Sequence, residues 1–148
     1  MPSRPRRRLV ALPLAALATL LIAAGCAPQS SSSSSKSTDK FKGAQKDVAQ
    51  AVEDLQSAAN SGDGAEVCSN LISSAFRQKL AARGACATVV KNAIKDADSV
   101  GMTVDQVQIN GDKATARVTF ETGKKDRTGT LPLVREGGRW RIDTLGGS

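Results

Sequence analysis

Between Phe41 and Ala59 the apolar residues recur at steps of three and four: Phe41, Ala44, Val48, Ala51, Val52, Leu55, Ala58 and Ala59. That spacing predicts one buried face of an amphipathic helix that stops at Gly62. Asp63 followed by Glu66 predicts a capping box opening a short second helix through Leu71. Ser73 or Ser74 can cap a further turn or two around Phe76 and Leu80, closed near Gly84. Val89, Val90, Ala93, Ile94 and Ala97 then make a third apolar stripe, in the stretch that starts at Cys86.

After Gly101 the period falls to two. Val107 and Ile109 precede Asn110-Gly111, a tight-hairpin signal, and Ala114, Ala116, Val118 and Phe120 alternate on the far side. Thr122 to Asp126 reads as a looser turn, Leu131 and Leu133 as the next strand, and Gly137-Gly138 as a turn into Trp140 and Ile142. Three helical segments followed by a four-stranded antiparallel meander predict an α+β domain with helices covering one sheet face.

The pattern ahead of Phe41 is of another kind. Arg4, Arg6, Arg7 and Arg8 form a basic head, Leu9 to Ala24 is apolar and uncharged, and the run closes in Ile22-Ala23-Ala24-Gly25-Cys26. Head and core read as a secretory signal, and the closing residues resemble the lipobox at which a diacylglycerol is attached to the Cys thiol. Ala23 stands where that motif usually has Leu. The alternatives are a membrane span, for which sixteen residues interrupted by Pro13 are short of the roughly 20 required, and an ordinary signal with an incidental Cys. The arginine run leaves general and twin-arginine export both open. From Cys26 to Lys40, with serine at every position from 30 to 35, the chain has too little apolar surface to fold and reads as a tether. The expected organisation is a lipoprotein signal peptide over 1–25, a flexible tether over 26–40 and one domain over 41–148.

Charge and cysteine usage follow from that division. The first 25 residues hold four of the 21 Lys and Arg and none of the 14 Asp and Glu. The remainder is therefore only mildly basic, and the formal charge of +7 is poor evidence for nucleic-acid binding. With Cys26 lipidated, Cys68 and Cys86 remain on an oxidising side of the membrane, where an even pair predicts a disulfide; two buried thiols are the alternative.

Four stretches, in their order and spacing, resemble the nuclear transport factor 2-like (SnoaL-like) superfamily in its secreted-lipoprotein form. They are Val67-Cys68-Ser69-Asn70-Leu71, Cys86 opening a helix, Gly111-Asp112-Lys113-Ala114-Thr115-Ala116, and Leu133 through Ile142 with Gly137-Gly138-Arg139-Trp140-Arg141 at its centre. The resemblance spans about residues 44 to 145. It implies a cone-like fold, in which a curved sheet wraps around helices and can leave a pocket between them. The superfamily includes isomerases, dehydratases and domains without catalysis, so fold alone does not choose among them.

The chemistry on offer is sparse. The chain has no His and no Tyr, which excludes Ser-His-Asp and Cys-His systems and His-ligated metals. Asp96-Ala97-Asp98-Ser99-Val100-Gly101 imitates a calcium loop, but Val100 and Val107 stand where oxygen ligands are needed. No metal site and no cofactor are expected. Asp105 shares strand parity with Val107 and Ile109 and is the candidate for a lone pocket base, although a solvated carboxylate is the plainer reading. Arg117, Arg139 and Arg141, on the outward parity, are candidates for a basic face toward an anionic polymer, against a plain solvated surface. Small Ala114 and Ala116 beside large Phe120 and Trp140 outline a candidate apolar pocket, unless helix residues fill it.

The expectation is a domain that catalyses nothing. It would be held at the extracytoplasmic face of the cell membrane by its lipid and bind an envelope protein or a small apolar ligand, with no nucleic acid as partner. The oligomeric state stays open, a dimer included. The alternatives are an isomerase or hydratase using Asp105 or another lone pocket carboxylate, and an accessory domain touching anionic cell-wall polymer.

Overall fold

The computed structural model describes residues 38–95, 101–121 and 125–145. The signal-like segment, Cys26 and the serine run lie outside these residues, as do Asp96–Val100 of the calcium-like stretch. The described chain opens with a 3-10 turn at Thr38–Lys40 in which Thr38 is 4% exposed. Folded structure therefore begins ahead of Phe41, inside the stretch expected to be tether.

Helix α1 spans Ala44–Asn60 and buries Val48, Ala49, Ala51, Val52, Leu55, Ala58 and Ala59 along one side. Ala44, expected on that side, is exposed. Its C-terminus is a Schellman motif: the Gly62 N–H donates to the Ala59 carbonyl (3.0 Å) and the Asp63 N–H to that of Ala58 (2.9 Å), with Gly62 at φ 70°. Asp63 then caps α2, Gly64–Glu66, by accepting the Glu66 N–H at 2.9 Å. Only half of the expected capping box forms, because the Asp63 N–H is already engaged by α1. A π turn, Val67–Leu71, follows directly, and α3 (Ser74–Ala81) and α4 (Cys86–Lys95) complete the helices.

The sheet is a meander in the order β1-β2-β3-β4, antiparallel throughout, built from Gly101–Asn110, Lys113–Glu121, Arg127–Glu136 and Arg139–Ile142. The β1–β2 turn residues are Gly111 and Asp112, one position beyond the predicted pair, with Asn110 facing Lys113. Gly111 at φ 59° supplies the left-handed conformation that such a turn requires. Gly137 and Gly138, at φ 58° and 81°, do the same between β3 and β4.

Helix α1 lies across β1, β2 and β4, and its buried side merges with Met102, Val104, Val107, Ala114, Ala116, Val118, Leu131, Leu133, Trp140 and Ile142 in one core. Two side-chain contacts fix α1 to β1: Gln45 Nε2 donates to the Val107 carbonyl at 3.2 Å, and Gln56 Oε1 accepts the Met102 N–H at 3.2 Å. The result is the α+β, cone-like architecture, with helices on the inner face of the sheet.

Candidate functional site

Helices α3 and α4 behave differently from α1. Neither buries a single residue completely, although α4 carries an apolar stripe along its whole length. Helix α4 packs on α2, the π turn and α3, while its apolar side faces an open cavity of about 330 Å³. Phe76 and Leu80 of α3 and Val89, Val90, Ala93 and Ile94 of α4 form one wall. Leu55 and Ala59 from the end of α1, with Val67 and Ile72, form the floor; Met102, Phe120 and Leu131 supply the sheet side, and Leu145, 58% exposed, stands at the margin. Every described lining residue is apolar.

Two devices hold the α4 wall in place. Cys68 in the π turn is bonded to Cys86, the first residue of α4, with the Cα atoms 6.1 Å apart. Gly64 brings α2 against α4 so closely that a β-carbon there would stand 2.5 Å from the Ala87 carbonyl oxygen. A third set of contacts seats α3. Ser73 caps it by accepting the Phe76 N–H (3.0 Å) and donates to Asp143 Oδ1 (2.7 Å), while Glu136 accepts the Ser74 N–H and hydroxyl (2.9 Å for the hydroxyl). The end of the sheet thus positions the helix that carries Phe76 and Leu80.

Of the four residues proposed to line a pocket, only Phe120 does so. Ala114 and Ala116 are 5% and 0% exposed in the core shared with α1, whose side chains fill the space that the small residues leave. Trp140, 8% exposed, lies beside a separate polar depression that also takes in Asp47, Asp54, Asn70 and Arg139. The cavity opens instead where Leu55 and Ala59 of α1, with Val67 and Ile72, meet α3, α4 and the sheet residues Met102, Phe120 and Leu131.

Asp105 does not point into the cone. A β-bulge between Val104 and Gln106 makes it the extra residue, so the inward parity runs Met102, Val104 and then Val107. The exposed Asp105 carboxylate accepts a hydrogen bond from Thr119 Oγ1 at 2.7 Å. Strict alternation cannot register the insertion of one residue, so parity alone allows an inward Asp105; the exposed side chain agrees with the plainer reading, a solvated carboxylate.

The three arginines do not form one patch. Arg117 on β2 is exposed among Gln106, Gln108, Thr115 and Thr130. Arg139 is exposed beside the acidic residues of the polar depression. Arg141 is drawn inward: Nη1 donates to the Ser69 carbonyl at 3.0 Å, and Nε lies 3.8 Å from Glu136 Oε2. It anchors β4 to the π turn. Among the described residues no cluster of His, Cys, Asp and Glu could hold a metal ion, and no helix is long and apolar enough to cross a membrane.

A family model described as putative lumazine-binding matches residues 43–144. The comparison with curated proteins gives no match. The solved structures to which the chain is similar include a "putative NTF2-like transpeptidase" from Campylobacter jejuni, at 17% identity over 65% of this chain and 96% of that one, with a TM-score of 0.46. A de novo designed NTF2 fold protein is 14% identical over 71% of this chain and 89% of the other, with a TM-score of 0.49. TsrD from Streptomyces laurentii is 20% identical over 72% and 90%, with a TM-score of 0.46.

Proposed function

The chain belongs to the putative lumazine-binding family, and from that premise we propose that it is a binding domain for a small apolar ligand and catalyses nothing. The observation that carries this reading is the cavity between α4 and the sheet, which is lined by apolar side chains and exceeds 300 Å³. That size is at the lower end of small-molecule sites, and apolar walls provide affinity through burial. Catalysis would need an acid, base or nucleophile at the ligand. Asp105, the carboxylate best placed by sequence, is on the other face of the sheet. The separation of Arg117, Arg139 and Arg141 likewise takes support away from a wall-polymer surface.

The location is part of the same proposal. Cys26 is diacylated and becomes the mature N-terminus, so that the domain is a lipoprotein at the extracytoplasmic face of the cell membrane. The basic head, the apolar core and the lipobox-like close support it. Two acyl chains, at about 0.8 kcal/mol per buried methylene, would anchor the chain durably. Metabolic labelling with an alkyne fatty acid marks the native protein and spares Cys26→Ser; equal labelling of both contradicts the anchor. Turnover of a small carbonyl or ester substrate, lost in Asp105→Asn, would overturn the reading without catalysis.

A further inference from the structure

The two helices that wall the cavity have a one-sided charge that an apolar lining does not call for. From Ser73 to Lys95 the chain holds five Lys and Arg and no Asp or Glu. Arg77 is engaged with the Cys68 carbonyl at 3.2 Å. Lys79, Arg83, Lys91 and Lys95 are exposed, and among the described residues none of these four is in an ion pair. Helix α1 is mixed by contrast, with Lys46, Asp47, Glu53 and Asp54. The α3–α4 pair is therefore apolar toward the cavity, and every charged residue it carries is positive.

Resting on the binding reading above, we propose that the ligand is a single-chain anionic amphiphile. Its hydrocarbon chain would occupy the cavity, and a carboxylate or phosphate head would stay outside among the α3–α4 cations. An apolar cavity of about 150 Å³ takes up benzene, so one about twice that size has room for roughly a dozen carbons. The lining offers this chain what it needs, which is contact without hydrogen bonding. The head keeps its hydration in part and gains charge-assisted contacts at the surface. A lumazine is the wrong chemistry for this space. Its fused rings carry carbonyls and ring nitrogens that no described lining side chain can satisfy, and each buried unpaired group costs affinity.

Calorimetric titration of the full chain with decanoate, decanol, decyltrimethylammonium and 6,7-dimethyl-8-ribityllumazine tests the proposal. Decanoate is expected to bind about five- to tenfold more tightly than decanol at low ionic strength, with decyltrimethylammonium weakest and the lumazine not detected. The preference should shrink as salt is raised. It should vanish in the chain with Lys79, Arg83, Lys91 and Lys95 all changed to Glu, or to Gln if charge reversal prevents folding, while decanol affinity is kept. Equal affinity for decanoate and decanol overturns the anionic assignment and leaves the apolar-ligand reading standing. Lumazine binding as tight as decanoate overturns the hydrocarbon class. Failure of all four to bind overturns both readings.

Discussion

The Phe120 ring packs against Gly129, so close that a β-carbon at Gly129 would stand 3.0 Å from Phe120 Cε2. Gly129 pairs with Val118 and therefore faces inward, next to the cavity that Phe120 lines. The missing side chain lets the aromatic ring rest against the sheet and leaves the volume beyond it free. Gly129→Ala should tip the half-buried ring into the cavity. We expect a stability change below about 1 kcal/mol, since the ring has room to move, with weakened uptake of an apolar probe. Urea unfolding and a probe titration on the same variant check both parts.

Gly64 is the tighter constraint, because the atom opposing it is backbone. A methyl group there meets the Ala87 carbonyl oxygen at 2.5 Å and Lys91 N at 3.2 Å, and neither can rotate away. Gly64→Ala should push α4 off α2 at a cost of about 1 to 3 kcal/mol. Amide exchange resolved along the chain should show faster exchange in α4 and little change in β1 to β3.

Joining Cys68 to Cys86 closes a loop of sequence separation 18. Removing the bond in the Cys68→Ala, Cys86→Ala chain should lower stability by about 3 kcal/mol, as restored freedom of the unfolded chain predicts. Loss should concentrate in α4, whose apolar side faces the cavity and buries no residue completely. The urea midpoint reports the total, and intact-mass analysis after alkylation without reductant confirms that the parent holds no free thiol at these positions.

The sequence spoke clearly where one rule acted alone. The apolar spacing of Val48, Val52, Leu55 and Ala59 marks the buried side of α1, and the glycines at 62, 111, 137 and 138 mark turns that need a left-handed backbone. The four-stranded meander follows from alternation between those turns. A bulge leaves no trace in alternation, so parity alone allows Asp105 an inward position that it does not take, and only half of the capping box at Asp63 forms because the Schellman motif engages its N–H.

The cavity itself was legible only in part. The stripe Val89, Val90, Ala93 and Ile94 is plain in sequence, but a stripe does not say what it faces. Small residues such as Ala114 and Ala116 imply space, yet both are buried in the core that α1 shares with the sheet. Which residues α1 covers and which face the cavity depends on how the elements pack against one another. That relation appears only once the elements are assembled.

The central claim, that the space between α4 and the sheet takes up an apolar ligand, is tested most directly with N-phenyl-1-naphthylamine, an uncharged probe that brightens in apolar surroundings. Ala93 lines the cavity and is itself exposed, so Ala93→Trp can fill part of the volume without disturbing the core. Titration of the full chain should give saturable one-to-one uptake with blue-shifted emission, and Ala93→Trp should lose most of it while keeping the parent's circular dichroism. Absence of uptake by the parent, or uptake undiminished in Ala93→Trp, would contradict the account.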